Sequence, residues 1–183
     1  MNKYPIMINK IKEHRKHKSI LLNHIQNFKK KHDTRYQSID SDWNLSRDLE
    51  RKYIDYFYSD VIEPVMINIG KELGFGTEFN WHISNTWFQQ YGKSETHKWH
   101  NHPNGQFTNC YYLELPDSRY KTEIIGIDGK KINFEALEGD VVTIPAWMKH
   151  RSPSNGGERK TVIAFNSNYD LDLSETYETE RNN

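Results

Sequence analysis

The feature that most constrains this chain is a change of texture at residue 79. From there, short runs rich in β-branched and aromatic residues alternate with turn residues, over 79–91, 106–115, 121–127, 130–136, 140–144, 148–153 and 159–167. Strand-length runs this closely spaced predict an all-β sandwich or barrel. The stretch Ile124–Ile132 carries Asp128-Gly129 between two apolar arms, which is a hairpin signal. Upstream the period is different. Residues 10–32 and 46–73 read as helices, and in the second Leu49, Tyr53, Tyr56, Phe57, Ile62, Val65, Met66 and Ile69 recur at spacings of three and four. Ser46 is the expected N-cap, Pro64 predicts a kink or break, and Gly74 and Gly76 predict the end.

The expected organisation is a helical region over 1–76 packed on the body, a β core over 77–168, and an acidic, frayed tail over 169–183. Hydrophobic residues make up only 35%, but aromatic residues reach 13%, and each buries a large area, so a core is within reach. Cys110 is the only cysteine, which excludes a disulfide framework, a Cys-based zinc site and an iron–sulfur cluster. No apolar run approaches a membrane span and no signal segment is visible, so the expected location is the cytoplasm, without a membrane partner.

Formal net charge is zero but unevenly spread. Residues 1–35 carry ten Lys/Arg against Glu13 and Asp33, while residues 170–183 are net acidic. Ile11, Ile20, Leu21, Leu22, Ile25 and Phe28 interleave with the basic residues. The basic side therefore reads as the solvated face of an amphipathic helix rather than a nucleic-acid surface. The oligomeric state is left open, a dimer included.

Chemistry concentrates in four histidines. His100 and His102 lie two apart, and on a strand such residues share a face, so both imidazoles can reach one metal ion. His150 follows a glycine turn, a buried strand and a proline bend, Gly139-Asp140 to Pro145, and supplies a third ligand. His97 is a weaker candidate. Arg159 opens the final strand with Thr161 on its face, and a guanidinium inside an apolar sheet calls for a carboxylate partner.

The segments Trp99-His100-Asn101-His102-Pro103, Asn109–Leu113, Glu138–Val142, Pro145–His150 and Arg159–Asn166 together resemble 2-oxoglutarate/Fe(II) oxygenases of phages and bacteria, of the prolyl-4-hydroxylase-like type. The resemblance covers roughly half the chain, about residues 83–168. It implies a double-stranded β-helix, a jelly-roll or cupin-like fold with N-terminal helices. It implies His100, His102 and His150 as ligands of Fe(II), with 2-oxoglutarate and O2 as cosubstrates. Arg159 would bind the distal carboxylate, Thr161 would lie beside it, and Tyr111 or Tyr112 would offer a hydroxyl. Trp87, Phe88, Trp99 and Trp147 would shape a dry pocket. The implied activity is hydroxylation of a C–H bond in a small-molecule or peptide substrate, such as a prolyl residue or amino acid.

The departure from the wider superfamily is His102, which stands where a carboxylate is commoner. A three-His set also suits a cupin-like metalloprotein without 2-oxoglutarate chemistry: a thiol dioxygenase, an isomerase or a binding module. Such a cupin needs no cation opposite the metal and is expected to carry a Glu shortly after the paired histidines, where Asn104, Gly105 and Gln106 stand.

Overall fold

The computed structural model describes residues 5–75, 79–103 and 105–171 of the 183-residue chain. The elements in chain order are β1 (Met7–Lys10), α1 (His14–Lys29), β2 (Arg35–Tyr36), β3 (Ile39–Ser41), α2 (Lys52–Asp60), α3 (Glu63–Glu72), β4 (Phe79–Tyr91), β5 (His97–His100), β6 (Phe107–Glu114), β7 (Glu123–Ile124), β8 (Asp140–Pro145), β9 (His150–Ser152) and β10 (Lys160–Leu171). They form a seven-stranded sheet, β1-β8-β6-β10-β4-β3-β2, and a three-stranded sheet, β5-β9-β7, with antiparallel pairing throughout. This is the mainly β, double-stranded β-helix architecture, with the helices on one face of the large sheet.

The helical region differs in detail from its periodicity. Residues 7–10 form a strand, not a helix start: Met7 and Asn9 are buried while Ile8 and Lys10 are not, a period of two that fits pairing with β8. Glu13, in the left-handed region at φ 49°, turns the chain into α1. In α1, His17, Leu21, Ile25 and Phe28 are buried at spacings of four and three, so the basic side faces outward as a solvated face. The second helical stretch breaks at Val61–Ile62, and Pro64 occupies the first turn of α3, where its missing N–H costs nothing. Helix α2 begins at Lys52, because Ser46 uses its hydroxyl to accept from Asp48 N in a turn of its own. Gly74, at φ 85°, closes α3. Residues 172–183, most of the expected frayed tail, and Gly76 lie outside the described residues.

Two cores follow from strand parity. Tyr111, Leu113, Val141, Ile163, Phe165 and Phe88 point toward the helices and pack with Tyr53, Phe57, Ile62, Met66 and Ile69. The Phe57 ring stacks on Tyr111 at 6.1 Å and meets Phe165 edge-on at 5.4 Å. Each such buried ring contributes about 2–3 kcal/mol. The alternate residues Tyr112, Val142, Ile144 and Val162 point to the small sheet, with Ile124, Phe134 and Met148. The space between the two sheets opens at one end into the candidate site.

Candidate metal centre

His100 and His150 are direct cross-strand partners on β5 and β9, with ring centroids 4.3 Å apart. Strand β5 ends at His100, so the ladder does not orient His102. A single backbone bond does so, from His102 N to Ala146 O at 2.8 Å, in the bend between β8 and β9. His102 thereby lies 5.1 Å, ring to ring, from both His100 and His150. One nitrogen from each of the three rings falls within 4.8 Å of the others, which a single ion can draw together by small side-chain rotations.

The opposite ring nitrogens are already committed. Nδ1 of His100 meets Lys98 O at 2.8 Å, Nδ1 of His150 meets Met148 O at 3.0 Å, and Nδ1 of His102 meets Asn166 Oδ1 at 2.7 Å. Each acceptor is an oxygen, so Nδ1 carries the proton and Nε2 is left as the donor lone pair for a metal. Burial holds all three rings below the usual imidazole range, and the neighbouring His100 adds to this at His150, pulled down to about 3. The rings are therefore neutral, the form that ligates. Three convergent neutral imidazoles fit a borderline divalent ion such as Fe(II). No carboxylate is found among the described residues lining the site. His97 sits 4.4 Å from His100, but its Nδ1 lies 3.1 Å from Gln89 Nε2, outside the converging set.

Two cavities meet at this centre. The inner one lies between the sheets and is lined by His100, His102 and His150 together with Tyr91, Cys110, Thr122, Ile124, Val142, Ser152, Lys160 and Val162. The outer one, about 370 Å³, is lined by His97, His100 and His102, Tyr36, Trp43, Trp87 and several side-chain amides.

Arg159 does not reach the inner cavity. Its Nε and Nη2 donate to the two carboxylate oxygens of Glu114, both at 2.8 Å, and the side chain is about half exposed. The reason is parity. On β10, Lys160, Val162 and Ala164 line the cavity, so Arg159 and Thr161 belong to the opposite face. Thr161 accordingly donates to Glu114 and accepts from Gln90 Nε2 at 3.1 Å. Tyr111 likewise points away, into the helix-facing core, with its hydroxyl 2.7 Å from His14 Nδ1. Tyr112 does face the small sheet, but its hydroxyl accepts from Thr122 N at 2.9 Å, behind the lining residues. Of the four tryptophan and phenylalanine candidates, Trp87 alone lines the cavities. Phe88 is in the helix-facing core, Trp99 lies under Arg151, and Trp147 is half exposed.

Two cations line the inner cavity: Arg151, whose Nε donates to Glu123 at 2.7 Å, and Lys160, which lies on the cavity face of β10 one residue beyond Arg159. Lys160 is 1% exposed. Its Nζ donates to Tyr120 O at 2.9 Å and to Ser152 Oγ, and lies 4.2 Å from the Tyr91 ring centroid. Among the described residues no carboxylate pairs with it. Burial pulls its pKa down to about 8. Ser152 follows His150 by two residues on β9, roughly 6–7 Å along the strand. The cation therefore stands about one short diacid's length from the histidines.

The double-stranded β-helix is a fold shared with 2-oxoglutarate/Fe(II) oxygenases. Among solved structures the chain is similar to a prolyl-4-hydroxylase from Pseudomonas putida, with 10% identity, 90% of this chain and 92% of that one covered, and a TM-score of 0.59. It is also similar to the non-heme alpha-ketoglutarate-dependent epimerase SnoN from nogalamycin biosynthesis, with 12% identity, 92% and 78% covered, and a TM-score of 0.65. A 2OG-Fe(II) oxygenase-family oxidoreductase from Burkholderia pseudomallei matches over 64% of this chain, which spans 57% of that protein, at 14% identity and a TM-score of 0.53. At these identities the likeness establishes the fold. No family model and no curated protein matches the sequence. Among the described residues no helix is long and apolar enough to cross a membrane.

Proposed function

We propose that this chain is a 2-oxoglutarate- and Fe(II)-dependent oxygenase acting on a C–H bond. The observation that carries the reading is Lys160: a fully buried ammonium without an anionic partner among the described residues, in the same cavity as three metal-competent imidazoles. A buried charge is costly unless paired, so the cavity asks for an anion. A five-carbon keto-diacid satisfies both ends at once.

Fe(II) with bound 2-oxoglutarate supplies the oxidising power, drawn from O2. The chain's own residues do the rest. His100, His102 and His150 would hold the metal through Nε2, each kept in its tautomer by an oxygen acceptor at Nδ1. Lys160 would pair the distal carboxylate, steadied by Ser152 and Tyr120. Val142, Ile144 and Val162 would keep water from the inner cavity. Arg159 and Thr161 would act as sheet residues rather than cosubstrate ligands. A cupin-like metalloprotein would leave Lys160 without a use.

The test is anaerobic titration of the Fe(II)-loaded protein with 2-oxoglutarate, following the metal-to-ligand charge-transfer band. The band and subsequent succinate release in air are expected. Absence of both, with metal bound, would remove the 2-oxoglutarate reading and favour the cupin one.

A further inference from the structure

The outer cavity carries a recognition surface of its own. Its rim holds Trp43, an indole that is 42% exposed, on the loop after β3. The backbone beneath that indole is firmly tied. Trp43 N donates to Ser41 Oγ at 3.2 Å, and Ser41 Oγ donates to Phe88 O at 2.8 Å. The intervening Asp42 is buried and accepts from Arg51 Nε at 2.7 Å, Tyr53 OH at 2.7 Å and Phe88 N at 3.0 Å. A network this complete fixes the loop while leaving a large part of the apolar ring open to solvent.

From Trp43 an aromatic line runs to the metal centre. Its ring meets Trp87 edge-on at 4.5 Å, and Trp87 stacks on His102 at 5.6 Å with 27° between planes. Amides face this line across the cavity. Asn85 makes no side-chain hydrogen bond among the described residues, and Asn101 makes only one long contact, 3.4 Å to Trp147 O. Asn166 is 3% exposed. Its Oδ1 is committed to the protonated Nδ1 of His102, which turns its NH2 the other way, with no partner among the described residues. Apart from the histidines, no lining residue is ionisable near neutrality.

We propose that the outer cavity binds the substrate as an electrically neutral, polyhydroxylated ring, a glycosyl group, stacked on the exposed indole of Trp43, with the buried Trp87 backing it, and hydrogen-bonded through its hydroxyls to Asn85, Asn101 and Asn166. Flat indoles match the C–H face of a pyranose, and carboxamides, which donate and accept together, match vicinal hydroxyls. Within this cavity a charged substrate would meet no Lys, Arg or carboxylate, those of the neighbouring cavity that shares Trp43, Asn85 and Trp87 being Asp42, Arg47, Glu50, Arg51 and Asp55. A volume of about 370 Å³ suits one or two rings. This inference rests on the oxygenase reading, since it treats the inner cavity as occupied by cosubstrate.

The test uses the full-length protein loaded with Fe(II) and 2-oxoglutarate without O2. The charge-transfer band is read first, because its absence removes the oxygenase reading and the present inference with it. With the band present, methyl glycopyranosides and methyl biosides are titrated beside the matching uronic acids and amino sugars, and beside capped prolyl and alanyl peptides. At least one neutral glycoside is expected to perturb the band and to quicken succinate release in air. Trp43→Ala should weaken that glycoside at least tenfold and Trp43→Phe less. Response to the charged sugars or capped peptides instead, response to none, or equal affinity in Trp43→Ala would overturn the proposal.

Discussion

Replacing Lys160 with Met removes the buried charge while keeping most of the side-chain volume, and it should split stability from cosubstrate binding. In the protein without ligands, burial lowers the ammonium pKa from 10.5 to about 8, a displacement equivalent to about 3 kcal/mol of unfavourable charge burial. Against that, Met loses two charge-assisted hydrogen bonds, to Tyr120 O and Ser152 Oγ, worth about 1.5–3 kcal/mol each. The opposing terms are of similar size, so the ligand-free variant should be destabilised by no more than about 3 kcal/mol near pH 7. The sign with pH follows from linkage. Between about pH 8 and 10.5 the unfolded wild-type chain binds more protons at this site than the folded one, so this residue's contribution to stability rises with pH across that window. In Lys160→Met that rise disappears. Cosubstrate binding weakens: loss of a charge-assisted bond in a dry site costs about 2–5 kcal/mol, or roughly 30- to several thousand-fold in 2-oxoglutarate affinity. Thermal unfolding from pH 6 to 10, with and without 2-oxoglutarate, together with calorimetric titration of the Fe(II)-loaded protein, reads both effects. Arg159→Ala is the companion. It breaks a bidentate pair in which Arg159 is half exposed and Glu114 mostly buried, and should cost about 1–2 kcal/mol in stability, with cosubstrate affinity within about threefold of wild type. A normal affinity in Lys160→Met, or a large loss in Arg159→Ala, would refute the reasoning and restore Arg159 as the clamp.

Three further outcomes are expected. His150→Ala should lose most bound metal as measured by elemental analysis, and His102→Asp should retain more metal than His102→Ala; full occupancy in a His100→Ala, His150→Ala double variant would be incompatible with the site. Asn166→Ala removes the nearer of two oxygens at His102 Nδ1, leaving Thr108 Oγ1 at 3.3 Å, and should weaken Fe(II) binding about tenfold without unfolding the protein, read by competition with a chelator. Because burial and, at His150, the His100 charge depress the cluster, with His150 at about 3 and His97 at about 4, the unfolded chain takes up protons first as pH falls below 6.5; the metal-free protein should lose stability progressively from about pH 6.5 toward 3, read by denaturant midpoints, and a pH-flat midpoint there would contradict neutral buried rings.

Much of this molecule is written locally. Runs of β-branched and aromatic residues over 79–91 and 160–167 specify strands, half-buried over 79–84 and buried on both faces from 87 and throughout 160–167, and spacing of three and four over 53–69 specifies helices because one face must be buried. The three histidines are legible from residue type and order alone. Which face of a strand becomes the inside of a cavity is not a local property. It depends on which sheet lies opposite, and a slip of one residue exchanges Lys160 for Arg159. The pairing of His100 with His150 likewise depends on register between strands about 50 residues apart, and the placing of His102 on one bond to Ala146. Short N-terminal strands such as β1 are chosen by the open edge of β8, not by their own propensity. Composition and period determined the layers and the three candidate histidines; long-range register decided which cation faces them, because only the assembled sheets define an interior in which an unpaired charge must find its partner.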